Sequence, residues 1–140
     1  GDVNIREKVH KKFISLGIPL INIIHPSAII SQYAQIGFGN IIGHHTSISC
    51  DVSIGDGNLF NSNNIIHHDC TIGNYNNIYS QSLMTGNAKI KNKNLLGTAC
   101  TMLPNSSLPN SCKLGASSVL HTSIQDDNQT LIGNPAGSIK

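Results

Sequence analysis

From Ile24 to Leu120 a large apolar residue returns at every sixth position without a miss. The series is Ile24, Ile30, Ile36, Ile42, Ile48, Ile54, Phe60, Ile66, Ile72, Ile78, Met84, Ile90, Leu96, Met102, Leu108, Leu114 and Leu120. An α-helix repeats at about 3.6 residues and a strand at about 2, so neither explains a period of six. A short fixed repeat marks a solenoid. Two residues before each anchor stands a small or polar side chain, from Asn22, Ala28, Ala34, Asn40, Thr46 and Val52 through to Ser118. Glycine directly follows Ile36, Ile42, Ile54, Ile72, Leu96 and Leu114.

Hexads predict an all-β fold, a parallel β-helix whose coil is a triangular prism of three hexads, or 18 residues. About six such coils fit between Ile24 and the C-terminus. Grouping the anchors by coil gives three apolar columns: Ile24 to Leu114, Ile30 to Leu120, and Ile36 to Leu108. Stacked at about 4.8 Å, the strand spacing, each column makes a continuous core. The Asn- and Gly-rich stretches between anchors suit corners that need positive φ.

The two ends break this pattern. Residues 2–16 read as a short helix with an apolar stripe at Ile5, Val9 and Phe13. Asn4 is placed to cap it, with Glu7 at capping-box spacing, and Gly17 and Pro19 stop it. A solenoid must cover its open ends, and this helix is the candidate cover. At the other end Asp126 interrupts the period and Ile132-Gly133 restores it, so the tail is expected to dock on the last coil. The organisation is thus residues 1–20, helix and linker, and residues 21–140, the β-helix. No insertion interrupts the register, which excludes a specificity loop between Ile24 and Leu120.

Composition removes several classes of function. Charged residues are 11% and the formal net charge is +2, too little for a nucleic-acid or membrane-surface partner. No apolar run reaches the roughly 18 residues of a membrane span, and no secretory leader opens the sequence. Cys50, Cys70, Cys100 and Cys112 form no CxxC pair, and three of them occupy the small-residue slot two before an anchor. They read as buried thiols of a cytoplasmic protein.

The register and its Ile-Gly pairs resemble the hexapeptide-repeat superfamily, whose commonest members transfer acyl groups from acyl-coenzyme A. Four segments resemble, more narrowly, the sialic-acid O-acetyltransferase and UDP-4-amino-sugar N-acetyltransferase family. They are Ile24-His25-Pro26-Ser27-Ala28, His68-Asp69-Cys70 before Ile72-Gly73, Thr85-Gly86-Asn87-Ala88, and Ile132-Gly133-Asn134-Pro135-Ala136. The resemblance implies a left-handed coil, acetyl-CoA as co-substrate, no metal, and a homotrimer with sites between subunits. It also implies that residues 1–20 are the remnant of an upstream nucleotide-sugar domain.

Acetyl transfer needs a base and an oxyanion donor, and histidine titrates near working pH. The resemblance assigns the base to His68, with Asp69 orienting it; His67 is an open rival. Eighteen residues beyond His68 lies Gly86, one coil away, whose N–H could serve the oxyanion. The resemblance gives Gly86 the same part. Stacking by 18 puts Gly97 and Gly115 in one column with Asn61, a shallow groove that with Thr98 and Ala99 is a candidate place for acetyl-CoA; Asn61 matches a family position facing the acceptor, and His67 is placed with it. Glycine is also the commonest residue after an anchor, so a purely structural role for Gly97 and Gly115 stays open. Asn77 stands where relatives often carry a histidine, and Gly137 where they often carry a basic residue.

A UDP-linked 4-amino-deoxy sugar, of the kind used in bacterial glycans, is the first expected acceptor; a sialic-acid or other sugar hydroxyl is the alternative. Two rivals come from other classes. Seven histidines, including His44-His45 and His67-His68, raise a zinc lyase like the γ-class carbonic anhydrases. That pattern needs a further histidine where Ile72 and Gly73 stand. The other rival is a non-catalytic trimerising solenoid.

Overall fold

A computed structural model of the chain describes residues 2–139. After one helix, α1 (Val3–Ser15), the chain winds into a three-sided parallel β-solenoid. The first sheet has eight strands, the second six and the third five. Apart from the last two strands of the first sheet, every strand is two residues long. Its second residue is the hexad anchor. The register repeats at 18: Ile65 pairs with Leu83, and Leu83 with Thr101. The three predicted columns therefore form the core, and Phe60, Ile78, Met84, Leu96, Met102, Leu114 and Leu120 are fully buried.

From Gly39 to Ser117 each corner turns through one residue at positive φ, three places before the next anchor. Most of these are not glycine: His45, Asp51, Asn63, Asp69, Asn87, Ala99 and Asn105 all take this conformation. The glycines after anchors serve a different purpose. A Cβ at Gly43 would lie 2.9 Å from the Asn61 carbonyl carbon, and one at Gly97 would lie 2.5 Å from Ala116 N. They are glycine because the next coil passes too close for a side chain.

The small-residue slot points into the corners. At the third corner, between the third and first sheets, it carries a ladder from half-buried Asn22 through buried Asn40, Asn58, Asn76 and Asn94. Asn58 donates from N (2.8 Å) and Nδ2 (3.0 Å) to Asn40 Oδ1, and from Nδ2 to Gly73 O at 2.9 Å. These amides satisfy backbone groups that the tight turn leaves unpaired.

Both ends differ from the sequence expectation. The N-cap of α1 is Asp2, whose carboxylate accepts from Asn4 N at 2.8 Å and Ile5 N at 3.2 Å. Asn4 is therefore not the cap. Glu7 is drawn instead to Lys11 (2.9 Å) and Lys93 (2.7 Å). Nor does α1 cover the open end. It lies along the third corner, where Arg6 donates to Gly57 O (2.7 Å) and Asn76 O (3.2 Å). His10 sits against the side-chain-free backbone of Gly39 and Gly57, with Tyr75 edge-on. Thirteen residues at about 1.5 Å each match roughly four coil spacings. Polar groups on α1 make the dock, while Ile5, Val9 and Phe13 stay exposed beside a groove lined by Leu20, Ile23 and Ile41. Ile24, on the first coil, keeps 42% of its surface.

At the C-terminal end Ile124 reaches the inward place two residues before Asp126 would, and packs on the core. The following strand, Thr130–Gly133, then pairs Leu114 with Leu131. Leu131 is buried and Ile132 is half exposed, so Ile132-Gly133 does not rejoin the period. Residues Ala136–Ser138 fold back as an antiparallel strand on the edge of the first sheet.

Candidate active site

The corner between the second and third sheets brings together the three residues of most chemical interest. Strand Ile65–Ile66 delivers the turn His67-His68-Asp69-Cys70, and strand Leu83–Met84 delivers Thr85-Gly86-Asn87-Ala88 one coil on. Asp69 holds the left-handed turn position at φ 61°, a conformation that Asp tolerates better than most residues. Its carboxylate Oδ2 lies 2.7 Å from His68 Nδ1. Both side chains are about half exposed, 55% and 51%.

A carboxylate only accepts hydrogen bonds, so Nδ1 carries the proton, and in the neutral imidazole Nε2 presents its lone pair. The imidazole rests directly on the next coil. A Cβ at Gly86 would sit 2.7 Å from His68 Cε1 and 2.9 Å from Nε2. Gly86 is not at positive φ, so contact with the ring, not backbone conformation, requires glycine there. The Gly86 N–H has no partner among the described residues. A free donor and an oriented lone pair thus stand side by side.

His67 lies one residue earlier on the same turn, exposed, and its side chain has no hydrogen-bond partner among the described residues. Cys70 is fully buried, and burial pushes its thiol up to about 11. A protonated, enclosed sulfur is no nucleophile.

The other candidates sit at a different corner. Asn61, Gly97, Thr98, Ala99 and Gly115 all lie between the first and second sheets, with the second sheet separating them from His68. Ala99 holds φ 56° with no side-chain hydrogen bond to favour it. The glycines there have packing reasons: Gly97 meets the backbone at Ala116, and a Cβ at Gly115 would lie 2.9 Å from Ile132 Cγ1. Because the last coil is one residue short, Ile132 and not Gly133 stands opposite Gly115.

Histidines also cluster at that corner. His25 packs edge-on to His44 (5.7 Å between centroids), and His44 to His45 (5.3 Å), while His25 Nδ1 lies 2.9 Å from Ser27 Oγ. Among the described residues, no group of three or more His, Cys, Asp or Glu could hold a metal, and no helix is long and apolar enough to cross a membrane. Sequence reasoning named His68, Asp69 and Gly86; it missed that the ring occupies the glycine's side-chain space, since a period gives residue spacing and no rotamer.

No family model and no curated protein sequence matches the chain. Solved structures do. PerB from Caulobacter crescentus, in complex with CoA and GDP-perosamine, superposes with a TM-score of 0.96 at 27% identity, covering 99% of this chain and 67% of that one. The acetyltransferase domain of PglB from Neisseria gonorrhoeae FA1090 in complex with acetyl coenzyme A gives 0.93 at 26%, with coverage of 99% and 67%. WeeI from Acinetobacter baumannii AYE, at 21% identity and a TM-score of 0.85, covers 99% and 67% and is similar in fold. The chain spans about two thirds of the length of these neighbours.

Proposed function

We propose that this hexapeptide-repeat β-solenoid is an acetyl-CoA-dependent N-acetyltransferase whose acceptor is the amino group of a nucleotide-linked amino sugar. The observation that carries the reading is the His68 imidazole, held by Asp69 and seated on Gly86. It is supported by the neighbours solved with CoA and GDP-perosamine or with acetyl coenzyme A.

In this reading the acceptor amine attacks the thioester carbonyl and forms the N–C bond. His68 Nε2 takes the amine proton as charge develops on nitrogen. The carbonyl oxygen becomes an oxyanion, and the open Gly86 N–H donates to it. Collapse breaks the C–S bond, and the leaving CoA sulfur takes the proton from His68. Asp69 keeps the imidazole in the required tautomer and offsets its charge when protonated.

One copy of the prism does not bring its two candidate corners together; the homotrimer does. The second sheet, which lies between those corners, presents Ile29, Ser47, Ile65, Leu83, Thr101 and Val119 outward, mostly apolar; the third presents Gln35, Ser53, Thr71, Lys89 and Ser107. Ile29 and Ile65 expose 71% and 45% of their surfaces. An apolar face flanked by site residues suits a subunit contact. The coenzyme then lies between His68 of one copy and Gly97, Thr98, Ala99 and Gly115 of the next, with Asn61 and His67 toward the acceptor. The free thiols suit work in the cytoplasm.

The test is an acetylation screen by mass spectrometry with acetyl-CoA and a UDP-linked 4-amino-deoxy sugar, GDP-perosamine or a sialic acid. Acetylation of an amino sugar supports the reading; acetylation of the sialic acid alone would replace it with O-acetyl transfer.

A further inference from the structure

We propose that Cys70 is a positioning residue that holds the Thr85–Gly86 peptide for acetyl transfer; this rests on the proposed acetyltransferase reading. In several places a slot two residues before an anchor forms a link between coils. Its side chain donates to the carbonyl fifteen residues on, at the first turn residue of the next coil. At the third corner Asn40 reaches Gly55 O, Asn58 reaches Gly73 O and Asn76 reaches Lys91 O, each at 2.9 Å. At the first corner Thr46 reaches Asn61 O at 3.0 Å and Ser82 reaches Gly97 O at 2.9 Å.

The corner that carries His68 is different. Its slots are Ala34, Val52, Cys70, Ala88 and Ser106. Alanine and valine donate nothing, and Ser106 bonds back within its own turn, to Leu103 O at 2.7 Å. Cys70 alone among these reaches the next coil: Sγ lies 3.2 Å from Thr85 O, with Met84 O farther off at 3.9 Å. Thr85 O also accepts from Ala88 N at 3.1 Å, the bond that closes its turn. The thiol fills the oxygen's second acceptor position.

That carbonyl belongs to the same planar peptide as the Gly86 N–H. Fixing the oxygen fixes the direction of the N–H on its far side, and the His68 ring fills the space where a side chain at Gly86 would stand. Thr85 Oγ1 ties the segment to the following coil through Met102 O at 2.8 Å. The buried thiol stays protonated across the working range, so it remains a donor.

The test compares Cys70→Ala, which deletes the donor, with Cys70→Ser, which restores one. Cys112→Ala, an equally buried thiol at the third corner, controls for volume. The first readout needs no substrate: the Gly86 amide resonance and its hydrogen exchange, followed by NMR. It is expected to move in Cys70→Ala, return toward wild type in Cys70→Ser and stay unmoved in Cys112→Ala. The second is kinetic. Losing one aligned hydrogen bond is expected to lower kcat roughly five- to tenfold, with KM for acetyl-CoA nearly unchanged. Serine should recover most of it.

An unmoved Gly86 amide in Cys70→Ala overturns the link, whatever the turnover. A moved amide with unchanged kcat, or a loss confined to KM, overturns the catalytic part. Equal impairment of the Ala and Ser variants does the same, because it reports packing. Wild-type protein that transfers no acetyl group to any acceptor overturns the functional reading, and with it the role of Cys70 in transfer.

Discussion

Replacing Gly86 with alanine tests the active-site geometry with a single methyl group. The new Cβ would stand 2.7 Å from His68 Cε1, 2.9 Å from Nε2 and 3.4 Å from Nδ1. Carbon atoms in contact sit at about 3.5–4.0 Å, so the ring must retreat by roughly 1 Å or swing away. The backbone at 86 lies outside the left-handed region, so alanine can adopt it. Alanine there even lowers the entropy of the unfolded chain, by about 0.4–1 kcal/mol. The ring is half exposed, so it can leave its seat without disturbing the core. Stability and activity are therefore expected to separate. Tm should fall by no more than about 3 °C. A misplacement of about 1 Å at a catalytic group lowers kcat by on the order of 10²-fold. Steady-state kinetics and thermal unfolding on the same preparation read both. A double-mutant cycle sharpens the result: in a His68→Ala background the Gly86→Ala change should cost little more, because the group it displaces has gone. Near-normal kcat in Gly86→Ala, or full additivity in the cycle, would refute the argument that Gly86 works by seating His68.

Other expectations follow from the same structure. His68→Ala should lower kcat by on the order of 10²-fold or more and leave the proposed homotrimer intact, read by turnover and gel filtration. Asp69→Asn, which keeps a side chain that tolerates the left-handed turn, should lower kcat at least about tenfold through loss of the oriented tautomer. Cys70 and Cys100, both pushed up to about 11 by burial, hold about 100-fold less thiolate than a thiol of ordinary pKa near 9. In native protein Cys50 should be alkylated first and these two only on unfolding, as peptide mass spectrometry would show. Burial, then the neighbouring Arg6, holds His10 below its usual range, against an opposing pull from Asp56. A base depressed in the docked state supports docking fully above about pH 6.5 and loses that support as pH falls below it. Hydrogen-exchange protection of α1 should therefore drop toward pH 5 in wild type and less so in His10→Gln. Asn58→Ala, which removes a buried amide from the ladder, should cost about 2–4 kcal/mol in denaturant unfolding.

How far the sequence reached depended on whether a feature was periodic. The six-residue period carries burial at every anchor, so it fixed the three columns, the register of 18 and the closeness of His68 and Gly86. It did not specify α1. An apolar stripe at Ile5, Val9 and Phe13 implied burial of that face, but Arg6 and His10 dock the helix through bonds to a corner no local pattern describes. Two residues that look like surface positions are the anchors. The tail misled for the opposite reason: Ile132 keeps the six-residue phase, yet the shortened last coil turns Leu131 inward instead. The glycines after anchors suggested backbone freedom, whereas the coils' close approach explains them. At the site, His68-Asp69 was legible as adjacent residues. The slot link from Cys70 was not, because a cysteine in a small-residue slot looks the same in sequence whether it donates a hydrogen bond or only fills space.

The central claim is that the His68 corner transfers an acetyl group to a sugar amine. The most direct measurement is product mass after incubating wild type and His68→Ala with acetyl-CoA and a nucleotide-linked 4-amino sugar. The account predicts an N-acetylated sugar and stoichiometric free CoA with wild type, and on the order of 10²-fold less with His68→Ala. Equal product from the two proteins would contradict the assignment of the base. No product from wild type across the UDP- and GDP-linked amino sugars would contradict the function itself.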